Sequence, residues 1–570
     1  MPYDYPSYPF VRPPELGSDT TGHVPVIIAG GGPIGLTMAL DLARKGIRSL
    51  VLDDDNTVSV GSRAICWSKR TLEIFDRLGL GERLLAKGVT WHTGKVYFGD
   101  RTDDPVYRFD LLPEADHRFP AFINLQQYYV EEYLVEILEH ESLTDIRWQN
   151  KVVSVAPRSD GVTVEVETPD GSYKLDGDYL LAADGSNSAI RKMLNLEFVG
   201  QAFKDHFLIT DIQLTGDLPA ERRFWFDPPF NRGQSALLHR QADKVWRLDF
   251  QLGQDVDHDE ELKRENVEKR IRAMLGENIK FDFEWVSLYT FQCRQLERFV
   301  HGRVIFIGDS AHIVSPFGAR GANGGIQDID NLAWKLALIM SGNAPEALLE
   351  SYNAERVEAA KENLLISARS ADFMSPKSEI SRAFRDGVLT LARDHEFARG
   401  FVNSGRLSTP KILTESPLNT LDETEFEAAM APGTPCADAP VQADGQDSWL
   451  LKHLGDEFVA VYFAGDDDTT EPKLGELDFP VRPLVITSRS LRSSYPLLVD
   501  AQGVAGERYD ARPGTCYLIR PDQHVTGRWR ALNPDKMKQA WQRATAHNTD
   551  HLEPSGDKHT DQAPEHRRAG

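Results

Sequence analysis

A chain of 570 residues with 41% hydrophobic content has material for about three to four ordinary domains and a sizeable core, which excludes global disorder. Its formal net charge of −23 argues against nucleic acid or an anionic membrane surface as a partner. No run reaches the roughly 18 apolar residues of a membrane span. The four cysteines, Cys66, Cys293, Cys436 and Cys516, are scattered without a CxxC, so neither a disulfide framework nor a metal site is expected.

The first 21 residues are rich in Pro and Tyr and lack an apolar signal core, so they read as an extended arm, and the expected location is cytoplasmic. The stretch VIIAGGGPIGLTMALDLARKGIRSLVLD, residues 26 to 53, then organises the chain. Val26 to Ile28 suit a buried parallel strand. Gly30, Gly32 and Gly35 fall on GxGxxG: a tight turn, a close approach of backbone to a pyrophosphate, and close packing of helix on sheet. The spacing of Ile34, Met38, Ala39 and Leu42 predicts a helix that stops at Gly46. Its N-terminal N–H groups form an anion site. A second strand, Arg48 to Leu52, ends on Asp53, close to the separation of about 20 from the glycines that a ribose-binding carboxylate requires. An ADP-containing dinucleotide is expected here, and the unit alone leaves NAD and FAD both open.

Ser62 and Arg63 sit in a loop after the second strand, where a cation reaches a phosphate; a surface arginine is the competing reading. A helix follows in SKRTLEIFDRLGLGERLLAKG, and another whose start contains Gln126 and Gln127. Residues 150–183 alternate as a β-meander with turns at Asp160-Gly161 and Asp170-Gly171. The meander runs into LAADGSNSAIRKML, where Asp184 either binds a cofactor hydroxyl or caps the next helix. Residues 205–290 read as a separate sheet. In KVWRLDFQL, Trp246, Leu248 and Phe250 point one way and Arg247, Asp249 and Gln251 the other. The nucleotide unit returns with the buried strand RVIFI, residues 303–307, which places Asp309 at the ligand edge of an open α/β sheet. Gly318, Gly321, Gly324 and Gly325 let the backbone lie against a planar ring, and a helix is expected from near Asn323, its N-terminus a second anion site. Residues 345–410 are mainly helical, 408–445 read as a linker, 446–546 as another α/β unit and 550–570 as a polar tail.

Three blocks together, GGGPIG at 30–35, DGSNSAIR at 184–191 and GDSAHIVSPFGARGANGGIQDIDNLAWKL at 308–336, resemble the class A FAD-dependent aromatic hydroxylases. QYYVEEYL and LYTFQCR look most like the 3-(3-hydroxyphenyl)propionate hydroxylase and phenol hydroxylase branch. The resemblance covers residues 22 to about 370. It implies an α/β fold: a Rossmann-type FAD-binding domain of the glutathione-reductase kind (22–204 and 291–370) around an inserted β-sheet substrate domain (205–290). After it come a helical segment and linker (371–445), a thioredoxin-like domain without redox cysteines (446–546) and a tail (547–570). By position, Gly30, Gly32, Gly35 and Asp53 would hold the ADP part of FAD. Arg63 and Gln127 would contact its phosphate and ribityl regions. Asp184 belongs to a motif shared between FAD and NAD(P)H binding, and Asp309 would bind the ribityl chain or pyrophosphate. Pro316 with the backbone of Gly321, Ala322 and Asn323 would line the isoalloxazine. Asp54 stands where relatives often have Arg, and Ala319-Arg320 where many have a Gly-Gln-type pair.

The implied reaction is hydroxylation of a small phenolic substrate by NAD(P)H and O2 through a C4a-hydroperoxyflavin, with FAD as cofactor and NAD(P)H as co-substrate. The alternatives are a hydroxylase of a larger polyketide-type aromatic, or a non-hydroxylating flavin-binding protein; a homodimer stays open. No residue is assigned as the base that deprotonates the phenol: His206, His239, Arg247 and Tyr289 fall in the substrate region, with core or surface roles expected for each.

Overall fold

The computed structural model describes residues 3–18, 21–110, 115–216, 218–254, 256–403, 408–427, 429–465, 473–490 and 492–548. Of the expected tail, 547–570, residues 549–570 lie outside them. Gly22–Ala29 is a central strand of an eight-stranded sheet. It pairs in parallel with Gly171–Ala182 on one side and Ser49–Leu52 on the other, and Val304–Phe306 and Thr144–Arg147 extend the parallel order outwards. Val26, Ile27 and Ile28 have no exposed surface because helices cover the sheet, and each stabilises the fold by roughly 1.5–3 kcal/mol. Pro33–Arg44 packs against both Gln127–Leu138 and Gly321–Met340. The meander forms from Lys151–Pro157, Val162–Thr168 and Gly171–Ala182, and its third strand doubles as a member of the parallel sheet.

A second eight-stranded sheet runs in the order His312–Ile313, Phe281–Gln295, Val199–Leu214, Val245–Gln251, Ser235–Arg240, Arg222–Phe226, Thr93–Phe98, Tyr107–Asp110. Thr93–Phe98 and Tyr107–Asp110, which the expected boundaries put in the nucleotide unit, are strands of this sheet: Thr93–Phe98 pairs in parallel with Arg222–Phe226. The alternation read in KVWRLDFQL is observed. Trp246, Leu248 and Phe250 join the core under helix Arg264–Leu275, with Val267 and Ile271. The opposite face turns towards the first sheet and, farther along, packs on helices Leu348–Met374, Glu379–Ala392 and Glu396–Asn403.

The C-terminal region forms a seven-stranded sheet, in the order Gln446–Trp449, Pro440–Ala443, Leu497–Val499, Arg482–Thr487, Val459–Phe463, Cys516–Ile519, Val525–Trp529. Pro440–Ala443, expected in the linker, is therefore a strand; it lacks the apolar alternation that would have marked it. One face of this sheet shares a core with Trp334 and Leu348 of the helical layer. Buried polar contacts fasten the same junction: Arg70 donates to Asp330 Oδ2 (2.9 Å), the Asp522 carbonyl (2.8 Å) and Gln523 Oε1 (2.9 Å). The arm runs extended along the nucleotide unit, with Tyr8 stacked on Trp148 and the Tyr5 hydroxyl accepting from Gly61 N–H at 2.9 Å. Among the described residues, no helix is long and apolar enough to cross a membrane, and no cluster of three His, Cys, Asp or Glu is placed to hold a metal ion.

Candidate functional site

Parallel strands bring distant motifs to one edge. Ala29, Leu52, Ala182 and Phe306 end their strands side by side, so Gly30–Gly32, Asp53, Ala183–Asp184 and Gly308–Asp309 all emerge at the carboxyl edge of the sheet. Gly30 has φ +113°, and a Cβ there would lie 2.4 Å from the Ala183 carbonyl oxygen. A Cβ on Gly35 would lie 1.9 Å from the Gly30 carbonyl oxygen, so this glycine sets how closely helix and turn can pack. At Gly32 a Cβ would meet nothing within 4 Å: the turn faces open space at the N-terminus of Pro33–Arg44, which no side chain caps. Asp53 accepts from Gly31 N–H and from Asp55 N–H (2.9 Å), and burial raises its carboxyl above the usual range. Glycine turn, free helix N-terminus and acid thus suit the diphosphate and ribose of an ADP-containing cofactor.

A cavity of about 410 Å³ joins this edge to the inner face of the second sheet. Gly32, Arg63, Gln127, Asp309, Pro316, Gly321, Ala322 and Asn323 border it on the nucleotide side. Asp309 opens onto the cavity, and the protein around it raises its carboxyl. The long helix starts at Gly321, two residues before the expected point, so its free N–H groups reach the cavity wall. From the second sheet come Phe207, Leu237, Tyr289 and Phe291, joined by Phe317 from the glycine-rich segment, a largely apolar and aromatic wall. Beside them is a polar row: Arg222, His239, Arg247 and Asp249.

Two of the expected residues border the cavity with side chains already engaged in hydrogen bonds. The Asn323 amide accepts from Ser68 N–H (2.9 Å) and Thr71 Oγ1 (2.6 Å) and donates to the carbonyls of Cys66 (2.9 Å) and Ala319 (2.5 Å). It clips the helix Gly321–Met340 to Cys66–Ser68, and the residue borders the cavity. Gln127 accepts from Ala64 N–H (3.0 Å) and donates to Ser59 Oγ (3.1 Å) and Glu131 Oε1 (2.8 Å), so it shapes the loop that carries Arg63. Arg247 braces the same loop from the other side. It forms a paired contact with Asp211 (2.8 and 2.7 Å) and donates to the carbonyls of Ser62 and Arg63. The Asp309 turn is held by Asp328, whose carboxylate accepts from Gly308 N–H (3.0 Å), His312 Nε2 (2.7 Å) and Arg356 Nε (2.7 Å). Gly30, Gly35, Asp53 and Asp184 stand behind the cavity wall. Asp184 accepts from Ile190 N–H at 3.0 Å in the first turn of the helix Ala189–Met193, whose N-cap is Ser188, while its other oxygen is buried without a partner.

His239, Arg247 and Tyr289, given core or surface roles from sequence, border the cavity; His206 packs on His258 instead. Arg222 and Asp249 were missed. The signal for Asp249 was the alternation of its strand, which put it opposite the apolar core face.

Ala319 holds φ +54° in the turn beside Pro316, a left-handed conformation costly for any side chain. Ala319→Gly is expected to raise stability by about 0.5–1 kcal/mol in denaturant titration. An unchanged or lower midpoint would show that the turn is unstrained.

Residues 23–366 match the family model described as FAD binding domain. Over 529 residues the chain is 27% identical to the 3-(3-hydroxy-phenyl)propionate/3-hydroxycinnamic acid hydroxylase of Mycolicibacterium smegmatis, covering 89% of this chain and 91% of that one. Over 531 residues it is 29% identical to the 6-methylpretetramide 4-monooxygenase of Streptomyces rimosus, covering 88% and 90%. Among solved structures, the flavin-dependent monooxygenase PieE in complex with FAD and substrate superposes with a TM-score of 0.78 at 22% identity, over 92% of this chain and 99% of that one, a likeness of fold.

Proposed function

The chain belongs to the FAD-binding family of flavin-dependent aromatic monooxygenases, and from that premise we propose that it hydroxylates a small phenolic compound, a phenol or a hydroxyphenyl carboxylate, with NAD(P)H and O2. The observation that carries this reading is a cavity in which an aromatic wall faces the Pro316–Asn323 segment.

Gly30, Gly32, Gly35 and Asp53 hold the ADP portion of FAD, the helix N-terminus taking the diphosphate. Arg63 and Asp309 contact the phosphate and ribityl regions, with Gln127 shaping the Arg63 loop. Asp184 contributes through the first turn of the helix Ala189–Met193, where it accepts from Ile190 N–H. Pro316, Gly321, Ala322 and the backbone of Asn323 would line the isoalloxazine, and the helix N–H groups would stabilise negative charge on it. The bound flavin supplies the redox chemistry, two electrons from NAD(P)H and activation of O2. The protein positions the aromatic ring between Phe207, Leu237, Tyr289 and Phe291 and keeps water from it.

The test is NAD(P)H oxidation across a panel of phenols of increasing size, with products identified by mass. Stimulation by single-ring phenols and a hydroxylated product are expected. Stimulation only by polycyclic aromatics would favour the second reading, a polyketide-type hydroxylase, which the Streptomyces rimosus relative supports.

Asp309→Ala is expected to lose FAD at least tenfold in affinity, about 1.4 kcal/mol; full flavin content in the purified variant would remove Asp309 from the site. The thioredoxin-like reading of residues 446–546 goes with a structural role. Cys436 and Cys516 are buried, and burial pushes both thiols up to about 12, far from the reactive thiolate range. The double variant Cys436→Ala, Cys516→Ala should keep full turnover; loss of turnover with the fold intact would contradict this.

A further inference from the structure

We propose that His239, oriented by Asp249, is the base that takes the proton from the substrate's phenolic hydroxyl, with Arg222 facing the phenolate that forms. The proposal rests on the phenol reading above.

The geometry comes from the second sheet. Ser235–Arg240 and Val245–Gln251 are antiparallel neighbours in which Leu237 lies opposite Asp249 and His239 opposite Arg247. His239 and Asp249 are thus diagonal neighbours on the cavity face, and His239 Nε2 lies 3.0 Å from Asp249 Oδ2. A carboxylate at that distance accepts from Nε2–H, which fixes the tautomer and leaves the Nδ1 lone pair as an acceptor. His239 is only 4% exposed, and its buried Nδ1 has no hydrogen-bond partner. Buried polar atoms are nearly always paired, so an orphan acceptor bordering a substrate cavity marks a place where a ligand donor belongs.

The surrounding charges fit a phenol. Arg222 borders the same cavity, its guanidinium rests over Trp91 and Phe224, and its buried Nε also lacks a partner. It forms no ion pair among the described residues, whereas Arg247 is matched by Asp211. Cys66, which borders the same cavity, is kept protonated by burial. The charged groups acting on His239 are therefore Arg222, Asp249 and Arg247. Burial first, then Arg222, holds the imidazole of the empty cavity down to about 4, so at neutral pH the ring is uncharged and free to accept, and a phenolate formed beside it favours the protonated ring. When the phenol O–H bond breaks, its electron pair stays on oxygen and the proton forms an N–H bond at Nδ1. Asp249 then faces an imidazolium and Arg222 a phenolate, two opposite-charge pairs, and no electrons are exchanged.

The test uses oxidised, FAD-loaded enzyme without NAD(P)H, so that binding is separated from turnover. 4-Nitrophenol is the probe, because its phenolate absorbs visible light, and 4-nitroanisole is the control that cannot ionise. In wild type the bound probe should ionise at lower pH than in water. His239→Gln should raise that ionisation pH by one unit or more, leave 4-nitroanisole affinity unchanged, and lower kcat for the phenols it accepts about 100-fold with little change in KM. Asp249→Asn, which keeps the imidazole, should shift ionisation the same way by less, and it stands as the test if His239→Gln loses its flavin. Equal ionisation of the bound probe in wild type and His239→Gln overturns the assignment of His239. Wild type that binds the probe without easing its ionisation overturns the proposal and leaves the hydroxylase reading intact. Wild type to which no phenol of the panel binds overturns the phenol reading and this proposal together.

Discussion

Gly35→Ala is expected to strip the protein of its flavin. The added methyl would sit 1.9 Å from the Gly30 carbonyl oxygen and 3.2 Å from Ile28 Cγ2, so the helix must move off the turn that presents its N-terminus. Backbone does not yield as a flexible side chain does, and the anion site depends on the placement of those N–H groups. Affinity for FAD should fall at least about 100-fold, roughly 2.7 kcal/mol. Flavin content of the purified variant and titration of the apoprotein measure it. A variant that retains FAD at wild-type affinity would show that Pro33–Arg44 does not meet the diphosphate.

Glu355→Gln should be the most destabilising of these substitutions. Glu355 is buried where the long helices meet the C-terminal sheet. Its carboxylate accepts from Arg520 (2.6 and 3.2 Å), Lys335 (2.8 Å), Asn331 (2.6 Å) and Ser416. With Asp522, which pairs with Arg520, the cluster holds two acids and two bases, all without exposed side-chain surface. Removing one charge leaves a buried cation unmatched, at a cost of about 3–5 kcal/mol. The two partners point in different directions. Burial lowers the Lys335 ammonium to about 8 despite Glu355, whereas Arg520 and Lys335 overcome burial and hold the Glu355 carboxyl well below its usual range. The carboxylate is the better guide, because five donor contacts converge on it. A depressed carboxyl contributes stability in full above its unfolded value, near 4.5, and loses it as pH falls towards the folded value. Wild-type stability should therefore drop below about pH 4.5 more steeply than that of Glu355→Gln. Denaturant titrations at neutral and acid pH check both points. A loss under about 1 kcal/mol at neutral pH would mean that the cluster is not a keystone of the domain junction.

The nucleotide-binding edge was legible because its signals are local. A strand, three glycines, a helix and an acid at fixed spacing leave few other folds, and Gly308-Asp309 after RVIFI repeats the logic on a neighbouring strand. The inner face of the second sheet was only half legible. Alternation along one strand separated Arg247 and Asp249 from Trp246 and Phe250. Strand pairing is nonlocal, however, so nothing in one strand tells that His239 lies diagonal to Asp249 or that Arg222 shares their cavity. For Asn323 and Gln127, motif position places each residue beside the site, but which of its atoms remain free depends on neighbours such as Ser68, Thr71 and Ala64. Pro440–Ala443 was hidden because its pairing, and not its own pattern, makes it a strand.

The central claim is that this chain is an FAD-dependent hydroxylase of phenols. The most direct measurement is turnover of the FAD-loaded enzyme with NAD(P)H and a single-ring phenol under isotopically labelled O2, followed by mass analysis of the product. Phenol-dependent NAD(P)H oxidation and a product carrying one labelled oxygen atom on its ring are expected. NAD(P)H oxidation that the phenol does not stimulate, or a ring that acquires no labelled oxygen, would contradict it.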